Sequence, residues 1–255
     1  MAEETTYETD GQIGVLTLNR PDVHNALNRA AYAALEQTVR DCTDRVLIIT
    51  GAGRSFCSGD DVREIMGGGE DTEAKVVAPR LTPAADALLH TDVPVIAAVN
   101  GPAVGWGMEL ALFADIRVAS TRAKFGELFV KRGLCSDVAG IGRLAQLVGR
   151  EAATELLLTG DVIDAEQART LGLVRHVAEP DALLDAARAV AARIAGNPPL
   201  AVRKLKAGLR RALDPDWRDL GAWVSESLTE LFATEDHREG VRSFIEKREP
   251  HYVGR

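Results

Sequence analysis

Residues 100–120 read NGPAVGWGMELALFADIRVAS, and they follow a short apolar run, VPVIAAV, at 93–99. The run predicts a buried strand. Three glycines and a proline then turn the chain, GMELALFA predicts a helix, and IRVAS at 116–120 predicts the next strand. Strand, glycine turn, helix and strand in that order predict an α/β body. One acid, Glu109, stands inside this otherwise apolar and tightly turned stretch, directly before Leu110, Ala111, Leu112 and Phe113. A desolvated carboxylate costs several kcal/mol unless it is paired, hydrogen-bonded or protonated.

The pattern extends in both directions. IGVLTL at 13–18 and RVLIIT at 45–50 predict further strands, and a helix is predicted to start at Asn28, a favoured cap residue. VAGIGRLAQLV and REAATELLLTG predict helices after residue 137. Beyond Pro180 the strand signal ends and four helical patterns follow. The reading is therefore a body over residues 1–180 and a helical region over 181–255 that packs on the body or on another subunit. MGGGEDTEAK at 66–75, with Gly67–Gly69, reads as a surface loop that could bound a pocket.

Composition sets limits on function. The chain has 255 residues with a net charge of −8 and an isoelectric point near 5.2. That balance argues against nucleic-acid binding through phosphates. Cys42, Cys57 and Cys135 are too few and too scattered for a disulfide framework or a cysteine-rich metal site, so a reducing cytoplasm fits best. The five histidines show no metal-binding spacing. No run approaches a membrane span, and the acidic start lacks a secretory pattern.

Two turns carry the candidate chemistry: GAGRSFCSGDDVREI after the strand ending at Thr50, and NGPAVGWGMELAL after the strand ending at Val99. Each leads from a strand through glycines to a helix start, where free N–H groups and the helix dipole favour negative charge. Side by side, the two could aim two N–H groups at one oxygen, as in an oxyanion hole. Either turn alone reads equally as an ordinary connection needing glycine. Neither matches a phosphate-binding signature.

The order of motifs is more specific. LNRPDVHNAL, VLIITGAGRSFCSGDDV, the 93–120 stretch, KFGELFVKRGL, LVGREAATELLLTGDVIDAEQARTLGLV and HREGVRSFIEKREP together resemble the enoyl-CoA hydratase/isomerase (crotonase) superfamily. The resemblance runs from residue 13 to about 250. It implies a crotonase-type superhelix of repeated ββα turns with a C-terminal helical trimerisation region, assembled as a homotrimer or dimer of trimers. It implies an acyl-CoA substrate, with coenzyme A part of the substrate and no separate cofactor. The thioester oxygen of an enolate would be held by the backbone N–H groups of Asp60 and Trp106. Gly59, Gly105 and Gly107 would let the backbone approach the ligand, Ala26 and Leu27 would line the coenzyme site, and Ser58 would also bind the substrate. Lys247 would meet the nucleotide end of a neighbouring subunit's coenzyme.

The resemblance places Glu109 at the first catalytic carboxylate of the family's hydratases. The second hydratase acid is missing: its position is Phe129, which together with Trp106 would bound the acyl pocket. Glu127, about 6–7 Å from Phe129 along an extended segment, reads as a surface or loop acid. Asp137 stands where some family isomerases carry a working Asp, and it also reads as a cap for a helix starting at Val138. Two acids around a changed water site fit a proton shuttle that moves a double bond at least as well as hydration. Thioester hydrolysis and a non-catalytic CoA- or RNA-binding role remain the alternatives. A Ser or Cys hydrolase at Cys57 or Ser58 lacks the GxSxG motif and any recognisable histidine partner.

Overall fold

The computed structural model describes residues 4–65 and 81–255. The loop expected at Gly67–Gly69 lies outside them. Among the described residues nine strands form two sheets: β1 (Thr5–Asp10), β2 (Ile13–Leu18), β3 (Val46–Gly51), β4 (Val95–Val99), β5 (Pro102–Val104), β6 (Ile116–Ser120), β7 (Lys124–Gly126), β8 (Val162–Asp164) and β9 (His176–Ala178). The larger sheet has the order β1-β2-β3-β4-β6-β9 and the smaller β5-β7-β8. Only the β1–β2 and β7–β8 pairs are antiparallel.

The strands come in short pairs because a tight turn breaks each run. β4 joins the large sheet, Asn100 and Gly101 redirect the chain, and β5 joins the small one. β6 and β7 repeat the move across Thr121–Ala123. The segment after β3 takes the same place through an isolated bridge between Cys57 and Ala103, and Leu27 bridges Asp60 one rung earlier. Successive turns thus stack in parallel, as expected for a ββα superhelix.

Alternation along the parallel strands fills two cores. Leu47, Ile49, Val95, Ala97 and Val99 face the helices Arg29–Asp41, Pro83–His90 and Trp106–Phe113. Val46, Ile48, Ile96, Ala98 and Val118 face the opposite side, where Leu183, Ala187, Ala191 and Ala195 of helix Leu183–Ala195 cover them. The four-residue spacing gives that helix one face, and its alanines allow close approach to the sheet. The first C-terminal helix is therefore part of the core. Helices Pro199–Leu213, Trp217–Phe232 and Glu235–Glu246 follow it.

Asn28 caps its helix as expected, its Oδ1 accepting from Ala31 N at 2.8 Å. Asp115 is structural: its carboxylate accepts from Val95 N and from Lys206 Nζ, each at 2.7 Å. Asp61 braces the first glycine turn through Arg20 at 3.1 Å. No described helix is long and apolar enough to cross a membrane.

Candidate active site

The two glycine turns lie against each other. Phe56 N and Cys57 N both donate to Pro102 O at 3.1 Å, and Val104 N donates to Cys57 O at 3.1 Å. Gly59 has φ +88°, and a Cβ there would stand 3.0 Å from Trp106 N. A side chain there would have to push the Trp106 backbone aside by a few tenths of an ångström. Among the described residues nothing accepts from the N–H groups of Asp60 and Trp106. Both residues line a cleft of about 740 Å³ together with Ala26, Ser58, Gly59, Gly105 and Phe129.

Side chains link the two donors. Tyr32 Oη donates to Asp60 Oδ1 at 2.6 Å, and its ring meets the Trp106 indole edge-on with centroids 4.8 Å apart. Trp106 Nε1 donates to Asp137 Oδ2 at 3.2 Å. Burial holds the Asp60 carboxyl above the usual range, against the opposing bond from Tyr32. Sequence reasoning missed Tyr32; its place one helical turn after the Asn28 cap was the available signal.

Behind Trp106 the acids converge. Helix Trp106–Phe113 is buried on every side, so Glu109 is fully enclosed. Its carboxylate accepts from Ala139 N at 2.9 Å, from Gly140 N at 3.0 and 3.1 Å, and from Ser136 Oγ at 2.8 Å. The same hydroxyl lies 2.8 Å from Glu127 Oε2. Glu127 is not a surface acid: it is 1% exposed, and its Oε1 is buried without a partner. The chain stops being extended after it, because Phe129–Arg132 forms a 3-10 turn. The period of two that buries Phe125 also sends Glu127 inward, and that alternation was the overlooked signal.

Charge follows from this geometry. Ser136 has one hydroxyl hydrogen, so both contacts are hydrogen bonds only when one carboxyl is protonated and donates to Oγ. Burial, then the charges of Glu127 and Asp137, holds the Glu109 carboxyl well above the usual carboxylate range. Burial likewise pushes Glu127 up to about 8. The pair thus retains a proton at neutral pH, and the two backbone N–H groups favour Glu109 as the charged member. Gly140 permits this contact: a Cβ there would lie 2.1 Å from Ser136 Oγ and 2.7 Å from Glu109 Oε1.

Asp137 caps helix Val138–Gly142 as expected, Oδ1 accepting from Val138 N at 2.7 Å. Its other oxygen meets Trp106, so capping and contact with the cleft wall coexist. Burial raises its carboxyl too.

Other expected residues lie elsewhere. Leu27 is buried beneath the first turn. Gly107 does not face the described cleft wall; a Cβ there would strike Cys57 O at 2.0 Å, so close backbone contact demands the glycine. Lys247 ends helix Glu235–Glu246 in a left-handed conformation, exposed. The rival nucleophile fares poorly, since burial pushes the Cys57 thiol up to about 12. His24 Nδ1 does meet Ser55 Oγ at 2.7 Å, but Arg54, not an acid, meets its Nε2. Among the described residues no group of three or more acids, histidines and cysteines could hold a metal ion.

The enoyl-CoA hydratase/isomerase family model matches residues 8–255. The chain belongs to this family. It is 36% identical over 248 residues to the short-chain-enoyl-CoA hydratase of Clostridium acetobutylicum, with 94% of each chain covered. It is 38% identical over 257 residues to the (E)-benzylidenesuccinyl-CoA hydratase of Thauera aromatica, with 98% of each covered. The crystal structure of an enoyl-CoA hydratase/isomerase from Pseudoalteromonas atlantica superposes with a TM-score of 0.88 at 29% identity, covering 98% of this chain and 100% of that one. The fold is accordingly the crotonase fold, and the family member described here is an enzyme of acyl-CoA chemistry.

Proposed function

We propose that the enzyme forms an enolate from an enoyl-CoA thioester and moves its double bond by proton transfer. The carrying observation is the closed, proton-sharing cluster Glu109–Ser136–Glu127 beside Asp137. The thioester oxygen is held between the N–H groups of Asp60 and Trp106, where charge develops. Glu109 takes a proton from the α-carbon of a 3-enoyl thioester, and the electron pair passes into the dienolate. Asp137 returns a proton at the γ-carbon, leaving a 2-enoyl thioester with no net gain or loss. The cycle closes when Glu109 gives up the proton it took and Asp137 regains one from solvent; Glu127 keeps its own proton and, through Ser136, holds Glu109 as the charged member. Phe129 on the cleft wall supports this over hydration, because a ring replaces the acid that would position water.

Hydration of a 2-enoyl thioester is the second reading, favoured by the names of the curated relatives. A panel of 2-enoyl, 3-enoyl and dienoyl thioesters in deuterated water separates the two by product mass. Deuterium incorporation with bond migration is expected; gain of one water would overturn the first reading. Thioester hydrolysis would instead release free coenzyme A.

We assign residues 1–180 to binding the acyl-CoA and 181–255 to packing on the core and on neighbouring subunits, in a homotrimer or dimer of trimers. Leu205, Leu209 and Leu213 support this: four residues apart, they leave helix Pro199–Leu213 with an exposed apolar face. Lys247 then reaches a neighbour's coenzyme. No cofactor beyond the substrate's own coenzyme A is needed, and the three unpaired cysteines suit a cytoplasmic enzyme.

A further inference from the structure

Two arginines line the cleft, the exposed Arg63 and the half-buried Arg132, and the proton chemistry uses neither. Arg132 sits at the end of the 3-10 turn Phe129–Arg132 and lines the cleft with Phe129, Leu134 and Phe244. Its guanidinium lies 4.4 Å over the Phe244 ring. Its Nε is buried with no hydrogen-bond partner, and its guanidinium forms no ion pair within 4 Å among the described residues. The neighbouring carboxyl, Asp60, is already engaged by Tyr32. Burial lowers the arginine's affinity for its proton, yet the group stays charged at neutral pH. A partly desolvated guanidinium with unused donors is costly until an anion completes it.

The anion could come from the acyl group or from a coenzyme phosphate. Position favours the acyl group. Arg132 lines the cleft with Phe129 and Trp106, and Trp106 bonds Asp137 of the proton-transfer cluster. The coenzyme would lie along Ala26, which belongs to a different segment of the same cleft lining. From the unpaired Arg132 facing this wall, we infer that the enzyme takes acyl-CoA thioesters whose acyl group ends in a carboxylate. Arg132 supplies a bidentate partner to that carboxylate, with Phe244 covering the guanidinium face. This substrate class rests on the acyl-CoA reading of the cleft, but not on the choice between bond shift and hydration.

Calorimetric binding of unreactive, saturated pairs tests it: succinyl-CoA against butyryl-CoA, glutaryl-CoA against valeryl-CoA, and adipyl-CoA against hexanoyl-CoA, with free coenzyme A as a third ligand. At least one carboxylated member should bind the wild type about tenfold or more tightly than its uncharged partner, the scale of a charged hydrogen bond. R132L should abolish that preference, and R132K should keep part of it as a point charge. Absence of any preference, or a preference surviving R132L, would overturn the inference. So would an equal loss for both members and free coenzyme A, which would assign Arg132 to a phosphate. Wild-type turnover of the enoyl panel is read separately. If no thioester reacts but the Arg132-dependent preference holds, the reaction reading fails and the substrate class stands.

Discussion

Trp106 donates its indole N–H to Asp137 Oδ2 over 3.2 Å, so a proposed oxyanion donor and a proposed proton carrier are joined through one side chain. The bond stabilises the charged carboxylate against burial. Trp106→Phe keeps an aromatic ring beside Tyr32 and removes that donor. The Asp137 carboxyl should then rise further and, because Asp137 gives a proton, the alkaline limb of the kcat/KM profile should move to higher pH. A pH–rate profile checks this; an unmoved limb would separate Asp137 from the chemistry.

Glu109→Gln should lower kcat by about 10²–10⁴, the usual contribution of a positioned acid–base group. Folding should survive, because the amide oxygen can still accept from Ala139 N and Gly140 N. Steady-state kinetics and a melting curve read the two effects independently.

Glu127 gives stability a defined pH dependence. Its folded-state carboxyl, pushed up to about 8, binds a proton more tightly than in the unfolded chain. Any stability linked to that proton is complete below the ordinary carboxylate range and is lost as pH rises through about 8. The wild-type melting temperature should therefore decline from pH 5 to pH 9 more steeply than that of Glu127→Gln, as measured across the range. Parallel curves would mean that Glu127 is not the titrating group.

Gly59→Ala should damage turnover more than the fold. Its Cβ would press on Trp106 N and Val104 O, each at 3.0 Å, from a backbone with φ +88°. A fall in kcat of about 10²-fold or more is expected, the lower bound for losing an oxyanion donor. Comparing kcat with the melting temperature decides whether the loss is local.

Replacing Leu205 and Leu209 together by Glu should yield monomers, since both are exposed on the apolar face of helix Pro199–Leu213. Light scattering after size-exclusion chromatography reads the mass directly. An unchanged mass would place the subunit contact elsewhere.

Local signals located most elements where residue identity alone decides conformation. Runs of β-branched residues predicted β2, β3, β4 and β6, and Asn28 and Asp137 predicted caps that the structure bears out. The strands β5, β7, β8 and β9, of three residues each, escaped notice. A three-residue strand has too little pattern to read, and it exists because the neighbouring rung supplies its hydrogen bonds. VAGIGRLAQLV read as one helix and is two, Val138–Gly142 and Leu144–Val148.

The acids divide along the same line. Glu109 was legible because its immediate neighbours are apolar, so burial could be inferred within one helix. For Glu127 the alternation with Phe125 marked the inward side, but its partner Ser136, nine residues away, could not be read from it. Arg132 and Tyr32 take their significance from Phe244 and Asp60, contacts that no spacing rule contains. The sequence by itself determined the family, the glycine turns and the buried Glu109, since each rests on residue identity and near neighbours. Only the tertiary structure decided which carboxyls share a proton and which cation is left unpaired, because desolvation and electrostatic partnership depend on distances between segments remote in the chain.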